Sequence, residues 1–192
     1  VFDANNNILA DCTFDYNGTK GIIVWTNSTS NSGNNYVIYY PNNDTISPSQ
    51  IITDLNTGGS ENTPQLYSSP YDDTIIATLQ NTGTNNVSAV VYHSNTDTWD
   101  NKTSLTTVNN RTSTFLKGSS CSWESNTRLP RCFVWNGVGG ANITVYTFNQ
   151  SWSQTANYTI QTLNAVSTGK RDIETVSIPY NNDIIILGEN GT

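Results

Sequence analysis

Ser104-Leu105-Thr106-Thr107-Val108-Asn109 decides how this chain is read, because it recurs in variant form on either side. Ile51-Ile52-Thr53-Asp54-Leu55-Asn56 precedes it and Thr159-Ile160-Gln161-Thr162-Leu163-Asn164 follows it, the closing Asn residues falling 53 and 55 positions apart. A second series runs ahead of the first. Val37-Ile38-Tyr39-Tyr40 corresponds to Val90-Val91-Tyr92-His93 and to Thr144-Val145-Tyr146-Thr147, with Tyr residues 53 and 54 apart. A third series lies further upstream: Gly21-Ile22-Ile23-Val24-Trp25, Thr74-Ile75-Ile76-Ala77-Thr78 and Arg131-Cys132-Phe133-Val134-Trp135, with a fourth copy at Asp183-Ile184-Ile185-Ile186-Leu187. Three series in one order at one spacing mark an internal repeat.

Each segment is rich in Ile, Val, Tyr and Thr and is bounded by Asn, Gly, Ser or Asp, which are strand and turn signals. A further short strand fits ahead of each third-series segment, at Thr13–Tyr16, Gln65–Tyr67, Ser122–Glu124 and Thr175–Ile178. No long 3.6-residue periodicity appears, so an all-β chain of four-stranded antiparallel meanders, strands A to D, is expected. Such a unit repeating every 40 to 55 residues or so is the signature of a β-propeller blade. Tandem sandwich domains need about 100 residues each, roughly twice this period. The repeats run over about 11–57, 63–110, 119–165 and, in part, 172–192, within a single domain spanning 1–192. Val1-Phe2-Asp3-Ala4-Asn5 reads as the end of a D strand, and the last strand read is a B strand. The chain is then either an arc of a larger ring or a four-bladed ring closed by its own ends. Open strand edges would otherwise pair with another chain, giving a homo-oligomer or a filament.

Composition narrows the setting. Charged residues are 12% of the chain, about half the usual share, while Trp 5, Tyr 10 and Phe 5 argue against disorder. The net charge is −7 and the 8 basic residues form no patch, which discounts nucleic acid. The longest apolar runs are strand-sized, so no membrane insertion is expected. No signal peptide is visible, residue 1 is Val and there is no Met, so the sequence reads as a mature product or an excised segment.

Between strands C and D the sequence reads Ser94-Asn95-Thr96-Asp97-Thr98-Trp99, and in the next repeat Asn149-Gln150-Ser151-Trp152. An acidic or amide residue shortly before Trp at this turn resembles the Asp-box of sialidase-like propellers in degenerate form. The family motif carries a Gly that both copies lack, and the first repeat, Pro41-Asn42-Asn43-Asp44-Thr45-Ile46, lacks the Trp as well. The resemblance covers two turns and the blade pattern, and it implies fold only. Sialidase chemistry needs three clustered Arg residues, a Tyr nucleophile and a Glu. Arg111, Arg128, Arg131 and Arg171 show no pattern that groups three of them.

Cys121 and Cys132 flank a turn-rich hairpin, where cross-strand neighbours meet disulfide geometry, and export would oxidise them. Cys12 aligns with Cys121 but lacks a local partner, so it either bonds another chain or a missing segment or is a plain buried thiol. Asn-x-Ser/Thr sequons stand at Asn17, Asn27, Asn43, Asn86, Asn101, Asn110, Asn142, Asn149, Asn157 and Asn190. Most fall in expected turns, where an acceptor for glycosylation must lie.

Candidate chemistry is sparse. His93 is the single His and occupies a C-strand position held by Tyr40 and Thr147 elsewhere, so it reads as a strand residue. Asp15 and Glu124 match one another on A strands, which line a propeller's channel. Paired carboxylates do acid–base work, although a solvated channel acid is the plainer reading. Asp72-Asp73 reads as a turn rather than a calcium site. Trp25 and Trp135 read as inter-blade packing. Trp99 and Trp152 either stack on sugars or plug the blade. No catalytic residue, metal or cofactor is assigned. The reading is an extracellular or cell-surface glycoprotein module with a structural or adhesive, assembly-forming role and no enzyme activity. The alternatives are a lectin-like propeller with glycan partners and a non-catalytic piece of a sialidase-like glycoside hydrolase.

Overall fold

The computed structural model describes residues 10–26, 34–52, 61–81, 86–101, 103–107, 119–136, 142–159, 173–178 and 183–188. Every regular element among them is a strand, and every pairing is antiparallel. The first sheet runs β1 (Ala10–Phe14), β2 (Gly21–Thr26) and β3 (Asn34–Tyr40), then a D strand in two pieces, β4 (Thr45–Ile46) and β5 (Gln50–Ile51), both paired to β3. The break falls at Ser47-Pro48-Ser49. Pro48 has no N–H for the ladder, and Ser47 bridges the gap by accepting the Ile38 N–H on its Oγ at 2.9 Å.

The second sheet repeats this plan with β6 (Glu61–Ser68), β7 (Thr74–Asn81) and β8 (Asn86–His93). Its D strand is again split, into β9 (Thr98–Trp99) and β10 (Thr103–Thr107). The third is β11 (Ser119–Trp123), β12 (Pro130–Asn136), β13 (Asn142–Asn149) and an unbroken β14 (Ser151–Thr159). A fourth pair, β15 (Ile173–Ile178) and β16 (Asp183–Gly188), follows.

Three expectations shift. In the C strands Phe148, not Tyr146, takes the place of Tyr39 and Tyr92. D strands begin directly after the C–D turn, at Thr45, Thr98 and Ser151, earlier than the apolar endings suggested, and residues 53–56, 108–109 and 160–164 of those endings lie outside the described residues. The B strands are also offset by one. Gly21 pairs with Tyr39 and Ile75 with Tyr92, so Gly21 matches Ile75 rather than Thr74. In the third sheet the matching residue is Pro130, opposite Trp123. A one-residue slip exchanges the two faces of a strand, so the offset decides which side chains meet.

With that register the packing is uniform. Each sheet turns a leading face to its predecessor and a trailing face to its successor. Ile22, Val24, Tyr36 and Ile38 on the trailing face of the first sheet pack on Ile75, Ala77, Leu79, Val90 and Tyr92 of the second. Ile76, Ala89 and Val91 meet Cys121, Trp123, Cys132 and Val134 of the third. Phe133, Ile143 and Val145 in turn meet Ile184 and Ile186. The A strands β1, β6, β11 and β15 also lie in sequence against one another. Burying each Ile, Leu or Val contributes about 1.5–3 kcal/mol, so cohesion is distributed along the seams rather than held in one core.

Candidate site at the seam between the first two sheets

The C–D turns are built on left-handed backbone. Asp44, Asp97 and Gln150 have φ of 52°, 55° and 60°, and each stands two residues before Ile46, Trp99 or Trp152. Glycine takes this conformation at least cost, and Asp tolerates it better than most. The turn therefore keeps its shape where the expected glycine is missing.

In the second sheet this turn positions a polar cluster. Asp97 Oδ1 accepts hydrogen bonds from the Tyr92 hydroxyl and from Lys20 Nζ, both at 2.6 Å. Lys20 also donates to the Ser94 carbonyl at 2.5 Å, so the A–B turn of the first sheet is locked to the C–D turn of the second. Burial, then the Asp97 carboxylate, pushes the Tyr92 phenol far up, and it stays a neutral donor. Trp99 is wedged between Tyr36 and Tyr92, with centroids 5.4 and 4.9 Å away. Its indole N–H is buried and makes no hydrogen bond. That N–H lies near enough to the Tyr36 hydroxyl to ease its ionisation, but burial outweighs this and raises the phenol overall. The Tyr36 hydroxyl itself donates to Gln50 at 2.6 Å. Asp100 faces His93 across 3.2 Å. Tyr36, Ile51, Ile52, Asp97, Thr98, Trp99 and Asp100 together line an open cleft of about 250 Å³. A second hollow of about 390 Å³ opens along the A strands, with Tyr67, Ser122, Trp123 and Thr175 on its walls.

The other singled-out residues have local partners. Cys121 and Cys132 stand opposite one another in the ladder and are bonded. Cys12 is free and exposed, so the buried-thiol alternative fails, and its neighbour across the ladder is Ile23 rather than Gly21 or Ile22. Asp15 and Glu124 are not solvated channel acids. Both are buried and close their own A–B turns. Asp15 accepts from the Thr19 hydroxyl and from the Thr19 and Lys20 N–H groups. Glu124 accepts from Thr127 and pairs with Arg131 at 2.8 Å. Asp72 caps Thr74, and Asp73 accepts from the Asn95 N–H. Arg128 sits over the Tyr71 ring at 5.6 Å, while Arg111 and Arg171 lie outside the described residues. Trp25 matches Val134 in register, not Trp135. Trp152 is half-buried against Phe148 at 5.2 Å.

Asn17, Asn43, Asn101 and Asn149 are exposed. Asn86, Asn142 and Asn157 lie on strands, and Asn27, Asn110 and Asn190 lie outside the described residues. Among the described residues no group of three or more His, Cys, Asp or Glu could hold a metal, and no helix is long and apolar enough to cross a membrane. Sequence reasoning missed Lys20, Tyr36 and Asp100, because they reach the cleft from elements far apart in sequence or from outside the motif.

No protein-family model matches the chain, and no curated protein matches it. Among solved structures it is similar to the K499G mutant of NanB sialidase from Streptococcus pneumoniae, with TM-score 0.59 and 15% identity over 90% of this chain and 26% of that one. It is also similar to a fungal lectin, Aleuria aurantia lectin, described as a six-bladed β-propeller with a novel fucose recognition mode (TM-score 0.58, 9% identity, 95% of this chain and 54% of that one). The chain thus spans 26% and 54% of the lengths of these two structures. At such identities the likeness shows the fold: a stack of antiparallel β-propeller blades, with no closed ring among the described residues.

Proposed function

We propose that this chain is a carbohydrate-binding propeller module of a secreted or cell-surface glycoprotein, and that the cleft between its first two blades seats the sugar. The observation that carries this is the half-buried Trp99 indole, which lines the cleft beside the carboxylates of Asp97 and Asp100. A ring face with a few fixed polar groups at its rim is the usual composition of a small-ligand site. The described fucose recognition of the lectin with the same fold supports the reading. Electrostatics narrow the ligand. Two carboxylates line the cleft and the nearby cation, Lys20, is already paired with Asp97. A neutral sugar is favoured, and a carboxylated one is repelled.

The test is calorimetric titration of the intact chain with neutral and acidic monosaccharides, alongside a glycan array. A neutral sugar should bind, and Asp100→Asn and Trp99→Phe should each weaken it about tenfold, or roughly 1.4 kcal/mol. Binding confined to acidic glycans, or none above background, would sink the proposal.

A second reading is the structural or adhesive role of an exported glycoprotein. Its support is the exposure of sequon residues Asn17, Asn43, Asn101 and Asn149, together with the Cys121–Cys132 bond. Several of the ten sequons should then carry glycans. Peptide mapping after deglycosylation reads that directly, and unoccupied turns would count against export. Chain-to-chain contact through open strand edges or through Cys12 belongs to this reading.

A further inference from the structure

Sequons recur at the C–D turns, and the second blade breaks their pattern. In the first and third blades an acceptor stands in this turn, at Asn43 and Asn149, three residues before Ile46 and Trp152. Both are exposed. In the second blade that place belongs to Thr96, whose hydroxyl is bonded to that of Thr98 at 2.7 Å. This blade instead carries Asn101-Lys102-Thr103, with its acceptor two residues past Trp99. The same place is Pro48 in the first blade and Gln154 in the third, neither of them an acceptor. The break in the D strand decides the setting. Strand β9 ends at Trp99 and β10 begins at Thr103, so Asn101 stands outside the ladder, and it is exposed. Its predecessor, Asp100, is pinned by its N–H to the Val91 carbonyl at 2.8 Å and lines the cleft with Trp99. The acceptor is therefore one Cα step, about 3.8 Å, from a residue of the cleft wall.

We propose that Asn101 is an N-glycosylation site whose glycan gates the cleft, its own neutral sugars competing there with free ligand. This rests on the sugar-binding reading of the cleft and adds its regulation. In the transfer, Asn101 Nδ2 bonds to C1 of the incoming sugar as the C1–O bond to a lipid pyrophosphate donor breaks. The pyrophosphate leaves with the electron pair, and the amide loses one proton. The sugar joined to Asn is N-acetylglucosamine, which is neutral and so compatible with a cleft lined by Asp97 and Asp100. A short tether supplies an effective concentration of about millimolar. A single sugar on one ring face has few atoms to bind with, so its own affinity is of a similar order. The tethered glycan then holds a large share of the cleft. Free sugar binds the glycosylated chain more weakly than the same chain without that glycan.

The test takes the chain secreted from a eukaryotic host, maps its glycopeptides, and titrates it calorimetrically with N-acetylglucosamine, mannose and galactose. Asn101 should be occupied. Asn101→Gln and Thr103→Ala both remove the acceptor sequence, and each should tighten binding of a neutral sugar about threefold to tenfold. Agreement between the two variants assigns the gain to the glycan rather than to either side chain. Asn149→Gln removes an acceptor from the third blade, none of whose residues lines the cleft, and should leave affinity unchanged. Adding Trp99→Phe to Asn101→Gln should cancel most of the gain, which places the competition at the cleft. An unoccupied Asn101 would overturn the proposal. So would an affinity that Asn101→Gln leaves unchanged, and in that case binding still weakened by Trp99→Phe would leave the sugar cleft standing. Binding of none of the three sugars, with or without the glycan, would overturn the cleft and its gate together.

Discussion

Asp15, Ser69 and Glu124 stand at the same place in three successive A–B turns, each closing its hairpin through its N–H, to Lys20, Thr74 and Leu129 respectively. Their side chains then satisfy the turn: Asp15 and Glu124 by the contacts described, and Ser69 Oγ by accepting the N–H groups of Tyr71 and Asp72. Burial raises the Asp15 carboxyl, but the Thr19 hydroxyl and the N–H groups of Lys20 and Thr19 outweigh it and leave the pKa below its ordinary value. A depressed folded pKa adds stability that is present above the unfolded value of about 3.9 and lost as pH falls through the folded one. Asp15→Asn should therefore cost about 1–3 kcal/mol at pH 7, and the gap from wild type should close below about pH 4. Urea unfolding at the two pH values measures this, and a gap independent of pH would refute it. Gln150 bears the opposite kind of local cost. A left-handed backbone costs a side-chain-bearing residue about 1–2 kcal/mol, and glycine's greater unfolded freedom offsets about half of that. Gln150→Gly should raise Tm by a few degrees, whereas unchanged or lower stability would show that the turn is held by something else.

At the scale of elements, the hairpins are stapled unequally. The Cys121–Cys132 bond closes a separation of 11 residues across β11 and β12. Constraining the unfolded chain over so short a loop contributes about 2–3 kcal/mol. Reduction, or Cys121→Ser with Cys132→Ser, should lower stability by that amount and leave far-UV strand signal intact. Loss of the strand signal would mean that the third blade needs the bond to form. The D strands differ as well. Pro48 splits the first, whereas β14 runs unbroken and accommodates its mismatch at a bulge between Val145 and Tyr146. The strands themselves were legible, since β-branched runs between Asn, Gly and Asp carry their own signal. The one-residue offset between Gly21-Ile22 and Ile75-Ile76 was not legible. Both B strands read as near-continuous apolar runs, and a run buried on both faces gives no alternation from which to read register.

At the scale of the whole molecule, stability accumulates seam by seam, as in any stack whose units touch only their neighbours. Leu79 is buried in the first seam, and Leu79→Ala should cost about 2–5 kcal/mol. Because that seam also forms the cleft, the substitution should weaken sugar binding, while Ile143→Ala in the third seam should not. Equal effects on binding would mean that the blades do not behave as separable units. The sequence by itself determined the all-β class, the repeat, the hairpin that carries the disulfide and the C–D turns, because each depends on residues near one another along the chain. Only the tertiary structure decided which faces meet, that Lys20 reaches Asp97 and that Trp99 lies between Tyr36 and Tyr92. Those contacts join successive blades, and their register is set by side chains packing across a seam, which no local pattern encodes.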